Sequence, residues 1–221
     1  MALTFLITSG STKEYIDPVR FIGNDSSGKM GTELARQALR KKHKVIFITG
    51  KSEIKLETSL PEPVEIIKTV SASDMFKAVK ENFKKADIII GAAAVADFRP
   101  VSRSRHKIKK ESALPVIKLK KNPDIIAYCG KNKKKQVVAG FALETQNLVL
   151  NAQKKLKRKN LDLIAANGSR SLGSDKTAVC LISPELGVKS LKQASKNIIA
   201  GKIIDETIRI FERIKTHKKN S

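Results

Sequence analysis

Hydrophobic positions along the chain fall into short, nearly continuous runs separated by polar stretches with helical spacing. Such runs are typical of parallel strands that are buried on both faces of a sheet. The predicted strands lie at residues 3–10, 44–50, 64–70, 86–97, 115–120, 136–143, 161–168 and 177–183. The last run is followed directly by GVKSL, which predicts an antiparallel hairpin.

Between these runs, apolar residues recur at the intervals of an amphipathic helix. The first helix carries its apolar face on Leu34, Ala35, Ala38 and Leu39. The second takes Ser71 or Ser73 as its N-cap and has apolar positions at Met75, Phe76, Val79 and Phe83. Two more helices are predicted at about 146–159 and 193–215.

This alternation predicts a Rossmann-like, doubly wound α/β fold, with a mostly parallel sheet, helices on both faces and a late antiparallel hairpin. We expect one domain over residues 1–221, with a basic, disordered tail from about 216 to 221. Ligands of such sheets bind beyond the carboxyl ends of the strands. That rule selects the loops at 9–31, 91–114, 121–126, 141–146 and 167–176.

Composition adds a strong positive charge to this picture. The 221 residues include 44 Lys and Arg against 21 Asp and Glu, for a formal charge of +23. The excess favours anionic partners, which include nucleic acid, acidic membrane surfaces and small phosphorylated ligands. Because aromatic residues make up only 5% of the chain and Trp is absent, a basic nucleic-acid-binding module is the weaker interpretation. The Lys runs at 131–136 and 155–160 are typical of solvated surface.

Several classes of protein are excluded by the pattern. The first ten residues, MALTFLITSG, have too short an apolar core for a signal peptide or a membrane span. Cys129 and Cys180 lie far apart, which fits a reducing cytoplasm and argues against a disulfide scaffold or a zinc site. His43, His106 and His217 are isolated and form no metal cluster. We therefore expect a cytoplasmic protein with no membrane association.

The stretch GNDSSGKMG, residues 23–31, contains the glycine and lysine spacing of a P-loop. Met30 replaces the required hydroxyl residue, and the segment 7–31 runs more than twenty residues from the strand end to the helix, whereas P-loop glycines follow the strand directly, so the P-loop interpretation fails. Ser26, Ser27 and Gly28 would still offer N–H groups and a helix dipole to an anion. The alternative is that Asp25 or Ser26 simply caps the helix.

Two later loops suggest a nucleotide site. In GAAAVADFRP, residues 91–100, small side chains would let a flat ligand approach the backbone, and Asp97 could bind ribose hydroxyls or a metal ion. Close strand packing and a turn aspartate are the alternative. In HKIKK, residues 106–110, one of Lys107, Lys109 and Lys110 could close over a triphosphate, although a surface charge run has the same composition.

The third region joins KNPDII, residues 121–126, to the end of the next strand and its helix. Pro123 and Asp124 suit the first turn of a helix. Phe141 is an aromatic candidate for packing on a base. Lys155 and Lys159 are i,i+4 neighbours that repel each other unless an anion lies between them, and a polyphosphate would supply one.

These stretches, in this order, resemble the phosphopantothenate–cysteine ligases (phosphopantothenoylcysteine synthetases) over nearly the whole chain. The matching blocks are EYIDPVRFIGNDSSGKMG, AAAVADFRP, KIKK, LKKNPDII, GFALET and RKNLDLIAAN. The resemblance implies ligation of 4′-phosphopantothenate and L-cysteine through an acyl-nucleotide. Magnesium assists, and CTP is the co-substrate in bacterial members and ATP in eukaryotic ones. It also implies a homodimer.

The resemblance assigns roles to particular positions. It implies that Asn24 polarises the carbonyl of the acyl-nucleotide and that Lys107 contacts the nucleotide. The segment Ser26, Ser27, Gly28 and Lys29 would form the substrate loop. The implied nucleotide pocket comprises Gly91, Ala92, Ala93, Asp97, Lys107, Pro123, Asp124, Ile125, Ile126, Phe141, Lys155 and Lys159. No residues are assigned to magnesium.

The chain departs from the family pattern at two positions. Ser11 stands where a second glycine is usual, and Thr177 stands in the place of an asparagine before the late hairpin. Many bacterial members also carry an N-terminal flavin-dependent decarboxylase, whereas this chain begins at the ligase strand. We therefore expect ligation without decarboxylation and no flavin. A dinucleotide-binding oxidoreductase is excluded because GSTKEY, residues 10–15, lacks the G-x-G-x-x-G pattern.

Overall fold

The computed structural model describes residues 1–52, 64–110, 116–168 and 176–217. The strands are β1 Thr4–Ser9, β2 Lys13–Tyr15, β3 Phe21–Gly23, β4 Lys44–Thr49, β5 Val64–Lys68, β6 Ile88–Gly91, β7 Phe98–Pro100, β8 Leu119–Lys121, β9 Val137–Glu144, β10 Leu163–Gly168, β11 Lys176–Ser183 and β12 Gly187–Ser195. The helices are α1 Lys29–Arg40, α2 Ala72–Asn82, α3 Ile125–Asn132, α4 Leu148–Arg158 and α5 Lys196–His217. The predicted tail beyond residue 217 lies outside the described residues.

One eight-stranded sheet organises the chain, in the order β12-β11-β10-β9-β6-β1-β4-β5. The six strands from β10 to β5 pair in parallel, and β11 and β12 add an antiparallel hairpin at one edge. The predicted doubly wound architecture and its late hairpin are confirmed. Two short antiparallel ribbons, β2-β3 and β7-β8, lie outside this sheet.

The central strands are buried on both faces, as their continuous apolar runs require. In β1, Phe5 and Ile7 pack with α1 and α5 on one face, whereas Leu6 packs with α2, α3 and α4 on the other. The side chains of all three are fully buried. The alternation follows from the two-residue period of a strand, and it produces a separate hydrophobic core on each side of the sheet.

Helix α2 begins where its polar start signal predicts. Ser71 is the N-cap, its Oγ accepts from Asp74 N at 3.1 Å, and Asp74 Oδ2 accepts from Ser71 N at 2.9 Å. This reciprocal capping box satisfies donors that the first turn leaves free. Of the two predicted caps, Ser71 is therefore the correct one.

Two strand predictions and one helix start need correction. The run predicted at 64–70 forms β5 only over Val64–Lys68, at the sheet edge, where the strand is half-buried because no strand among the described residues pairs with its outer side. The run predicted at 115–120 is not a core strand in its described part, 116–120, since β8 is exposed and pairs with β7 outside the main sheet, and residue 115 lies outside the described residues. Helix α1 is capped by neither Asp25 nor Ser26, since its N-cap is Gly28 without a side-chain hydrogen bond.

No helix in the described ranges is long and apolar enough to cross a lipid bilayer.

The sequence departures at Ser11 and Thr177 are both accommodated inside the fold. Ser11 is buried and its N–H donates to Lys51 O at 2.9 Å, while Thr177 is buried within β11 opposite Ala194. Thus neither side chain extends into solvent at the sheet edge.

Gly130 sets how closely α3 approaches the end of α4. A Cβ built on Gly130 would lie 1.9 Å from the backbone oxygen of Lys159, far inside van der Waals contact. Asn160 completes this contact by donating from Nδ2 to Gly130 O at 2.8 Å. This backbone contact fixes the position of Lys159, whose side chain lines the functional site.

Gly130→Ala should therefore lower the free energy of unfolding by about 1–3 kcal/mol, because backbone must move to admit the methyl group. The matched control is Gly201→Ala in α5, where the nearest atom to the new Cβ is 3.5 Å away. That control should raise stability by about 0.5–1 kcal/mol through the loss of glycine entropy. Urea unfolding of both variants measures the effect, and equal stability changes would contradict the close contact.

Candidate functional site

A cleft of about 520 Å³ lies beyond the carboxyl ends of β6 and β9, within the size range of small-molecule sites. Parallel strands end at one edge of the sheet, so loops that are distant in sequence converge there. The predicted nucleotide residues that line it are Gly91, Ala93, Asp97, Pro123, Asp124, Ile125, Ile126, Phe141, Lys155 and Lys159. Ala92 and Lys107 are the two predicted pocket residues that do not line the cleft.

The small residues at the end of β6 hold the floor of the cleft against β1. Ala92 N donates to Thr8 O at 3.2 Å, and Ala93 N donates to the Thr8 hydroxyl at 3.3 Å. Ala92 packs toward the opposite face of the sheet, against the core that contains α1 and α5. These hydrogen bonds hold the backbone of residues 91–93 close to β1. Gly91 and Ala93 therefore present only backbone and a methyl group to the cleft.

An amide side chain that the sequence analysis missed holds two walls of the cleft together. Asn122 donates from its backbone N to Asp97 O and from Nδ2 to Ala96 O, both at 2.8 Å. Its Oδ1 accepts from Arg99 Nη1 at 2.7 Å. The sequence signal was an asparagine directly before Pro123, but its partners lie over twenty residues away. Asn122 therefore fixes the loop of Asp97 relative to the start of α3.

The two predicted lysines enter the cleft from α4. Lys159 forms an ion pair with Asp124, with 2.7 Å between Nζ and Oδ2, and Lys155 Nζ donates to Phe141 O at 2.7 Å. Part of the anionic partner expected between the lysines is thus the carboxylate of Asp124. Lys155 contacts a neutral carbonyl, so its positive charge is less compensated than that of Lys159, which is paired with a carboxylate.

Burial and the neighbouring Lys159 lower the pKa of Lys155, although Glu144, Asp124 and Asp97 act in the opposite direction. Burial alone would raise the pKa of the Asp124 carboxyl, but the hydrogen bond and charge of Lys159, with the Ala127 N–H, outweigh it and lower that pKa. A bound polyanion would stabilise the charged form of Lys155. The charge around Lys155 therefore favours an anion at this end of the cleft.

Cys129 is the one cysteine on the lining of this cleft, and it is fully buried. Burial and the charge of Asp124 raise the pKa of its thiol to about 12. A thiol with that pKa is protonated at neutral pH and is a poor nucleophile. The cysteine on this cleft is therefore not activated as a nucleophile.

Asn24 lies on the loop that leads into α1, and its side chain is exposed. Its Nδ2 donates to Val95 O at 3.1 Å, and Val95 lines the cleft. An asparagine amide has two N–H donors, so this contact leaves donor capacity directed outward. Asn24 is thus attached to the rim of the cleft rather than placed inside it.

The predicted substrate loop forms a separate, glycine-dependent turn at the start of α1. Gly28 has a φ of 77°, in the left-handed region that disfavours a side chain, and a Cβ there would lie 2.8 Å from Ser52 Oγ. Ser26 Oγ accepts from Gly28 N at 3.4 Å, and Ser27 Oγ accepts from Lys29 N at 3.5 Å. Both contacts lie at the long end of the hydrogen-bond range.

Lys107 is exposed on the segment 101–110, which we call the flap. The flap does not contribute to the lining of the cleft in this conformation. The flap contacts the rest of the fold at Val101, whose N donates to Lys118 O at 2.9 Å, at Arg103, which lies over the ring of Tyr15, at Ser104, whose N donates to Ile16 O at 2.9 Å, and at Ile108. Among the described residues, no group of three or more His, Cys, Asp or Glu side chains could hold a metal ion.

Comparison with known proteins places this geometry in a family. Over 202 residues the chain is 44% identical to the coenzyme A biosynthesis bifunctional protein CoaBC of Borreliella burgdorferi, covering 90% of this chain and 50% of that protein. The chain thus spans about half the length of this curated relative.

Solved structures agree with that match. The C-terminal domain of a CoaBC protein superimposes with a TM-score of 0.81 at 34% identity, covering 96% of both chains. A Cab2 mutant in complex with phosphopantothenate-cysteine has a TM-score of 0.79 at 22% identity, covering 98% of this chain and 89% of that one, and shows the same fold. A family model for the DNA/pantothenate metabolism flavoprotein C-terminal domain matches residues 2–210. The chain belongs to this family.

Proposed function

We propose that this chain ligates 4′-phosphopantothenate to L-cysteine in coenzyme A biosynthesis, with CTP as the activating nucleotide. The observation that carries the proposal is the cleft, which combines a floor of small residues at Gly91 and Ala93, the start of α3 and two lysines. Membership of the family and the names of the relatives in coenzyme A biosynthesis support it. The Cab2 complex contains phosphopantothenate-cysteine, the product of such a ligation.

The proposed reaction has two displacements. In the first, the carboxylate of 4′-phosphopantothenate attacks the α-phosphorus of CTP, the bond to the β-phosphate oxygen breaks, and pyrophosphate leaves. In the second, the cysteine amine attacks the acyl carbon of the acyl-cytidylate, the amine loses a proton, and CMP leaves with the bonding electron pair. Both nucleophiles come from substrates, which agrees with the protonated thiol of Cys129.

The protein would therefore act by orientation and charge compensation. Lys155 and Lys159 would bind the phosphates, and Phe141 would pack on the base. The side chain of Lys107 would extend over the nucleotide as pyrophosphate departs. Asn24, already held by Val95 O through one N–H, would donate its second N–H to the acyl carbonyl during attack by the amine.

The donor set suits a magnesium ion carried mainly by the nucleotide. Mg²⁺ usually binds through one or two carboxylates together with substrate phosphates and water. Asp97 is exposed at the cleft and is the carboxylate available for that role or for ribose hydroxyls, since Asp124 is paired with Lys159. When bound, the ion would neutralise charge on the phosphates.

The choice of CTP over ATP rests on peptide groups near the cleft floor and the start of α3. Ala92 and Ala93 already use their N–H groups within the sheet. First-turn N–H groups of a helix have no intrahelical acceptor, so those of Ile125 and Ile126 are available to a base edge. The alternative is the same ligation with ATP.

Pyrophosphate release tests the function and the nucleotide together. With 4′-phosphopantothenate present, CTP should support rapid release and ATP much slower release, and adding cysteine should yield phosphopantothenoylcysteine and CMP. Comparable rates with ATP would overturn the CTP assignment. Absence of product with either nucleotide would overturn the ligase proposal.

Lys107→Ala and Asn24→Ala should each lower turnover by orders of magnitude without unfolding the protein, because both side chains are exposed and make few packing contacts. Lys131→Ala is a matched control, since Lys131 is an exposed lysine in the last turn of α3. Steady-state rates with thermal melts measure the effects. Turnover close to wild type in either variant would remove that residue from the catalytic set.

We further propose that the chain forms a homodimer through the β7-β8 ribbon and the residues next to it. Val101, Val116, Ile117 and Leu119 there are exposed by 41% to 85%. Clustered exposed apolar side chains are typical of association sites. The ribbon adjoins the cleft through Phe98, which is itself 46% exposed. A dimer contact here would place the partner near the nucleotide.

Leu119→Glu should therefore shift the chain toward monomer in sedimentation velocity at micromolar concentration. Leu150→Glu is the matched control, because Leu150 is 51% exposed on α4, away from the ribbon. A wild-type chain that sediments as a monomer, or a control that dissociates equally, would contradict the proposed interface.

A further inference from the structure

Asp17 is a fully buried carboxylate on the turn between β2 and β3. Its Oδ1 accepts from the backbone N of Val19 and of Arg20, each at 2.8 Å. Its Oδ2 accepts from Arg20 Nε at 2.9 Å and from Arg20 Nη2 at 2.5 Å. One oxygen thus shapes the turn, and the other forms a two-point ion pair with the guanidinium.

The same ion pair holds the flap. Ile108 N donates to Asp17 Oδ2 at 3.3 Å, and Ile108 O accepts from Arg20 Nη2 at 2.9 Å. Both polar groups of Ile108 are therefore bound by one ion pair, in the manner of a neighbouring strand. Ile108 follows Lys107 directly in the chain, so the contact fixes the backbone beside that lysine.

The turn also connects the flap to Asn24. Strand β3 ends at Gly23, so Asn24 continues directly from the hairpin that carries Asp17 and Arg20. Hydrogen bonding to Arg20 holds the pKa of the Asp17 carboxyl well below its usual range, against the opposing effect of burial. The carboxylate consequently stays charged across the physiological range of pH.

We propose that Asp17 is a positioning residue for the ligation, because the Asp17–Arg20 ion pair latches the flap and so holds Lys107 for its role at the nucleotide. This inference rests on the proposed function for its catalytic consequence. The latch itself rests on the contacts to Ile108. The competing role, in which Asp17 only shapes its own turn, uses Oδ1 alone.

Asp17→Asn separates these two roles. An asparagine keeps an oxygen for the N–H groups of Val19 and Arg20 but loses the charged acceptor for Arg20 and Ile108. Asp205→Asn is the matched control. Asp205 lies on α5 and forms a surface ion pair with Lys41, so the variant makes the same chemical change in a different ion pair. Arg20→Lys is a second variant, which keeps the charge but lacks the fork that reaches Ile108 O.

Limited trypsin digestion measures the latch without any substrate. Cleavage after Lys107, Lys109 and Lys110 should accelerate about tenfold in Asp17→Asn and in Arg20→Lys, and stay at the wild-type rate in Asp205→Asn, because proteolysis follows the population of the opened segment. Cleavage after Lys202 in α5 reports global unfolding. Flap cleavage no faster than in the control, or an equal rise at Lys202, would overturn the latch.

A double-mutant cycle tests the link to Lys107. Asp17→Asn should lower turnover by about tenfold in the wild-type background but less than about twofold in Lys107→Ala, because a residue acting through Lys107 has little left to position. Equal losses in both backgrounds would contradict a positioning role. If wild type shows no ligation, the proposed function fails, whereas the trypsin result still decides whether the latch exists.

Discussion

Parallel pairing at the centre of the sheet is the constraint on which the rest of the structure depends. Strand β1 pairs with β4 and β6 in one direction, and β9 extends the same arrangement. Parallel neighbours require crossover helices, which cover both faces and make each central strand apolar throughout. Because these strands run in the same direction, the loops that follow their carboxyl ends all lie at one edge of the sheet. The cleft is thus a consequence of strand direction before any functional side chain is considered.

Charge compensation is the second constraint, since the cleft gathers cations where water is partly excluded. Lys159 is largely buried and is balanced by Asp124, whereas Lys155 has a peptide carbonyl and carboxylates only at longer range. A fully paired site would have no remaining attraction for phosphate, and a fully unpaired one would destabilise the fold. The observed arrangement lies between these cases. It therefore favours a ligand that brings its own negative charge.

Local sequence rules predicted what local interactions determine. Most strand runs, the apolar face of α1 and the cap at Ser71, one of two serine candidates, depend on residues within a few positions of one another, and these were confirmed apart from boundaries. The prediction of a core strand at residues 115–120 was wrong, because an apolar run does not reveal whether its segment joins the central sheet and becomes buried. Asn122 was missed for a similar reason, since its partners Ala96 and Arg99 are brought to it only by the folded chain. The residues of the cleft could be predicted to lie together because their stretches match the blocks of a known family in order. Their spacing along the chain did not by itself show that they meet in the fold.

The β2-β3 hairpin shows why the order of those blocks carries structural meaning. It is too short to have a core of its own, and it is held by buried polar contacts, among them Glu14 Oε1 accepting from Ala72 N at 2.8 Å. On one side it binds the flap through Asp17, and at its end Asn24 reaches Val95 O at the cleft rim. Polar contacts of this kind depend strongly on geometry, so they set position more sharply than apolar packing does. The hairpin thereby connects the flap to the rim of the cleft through hydrogen bonds, and it is built from residues whose individual patterns suggested only a loop.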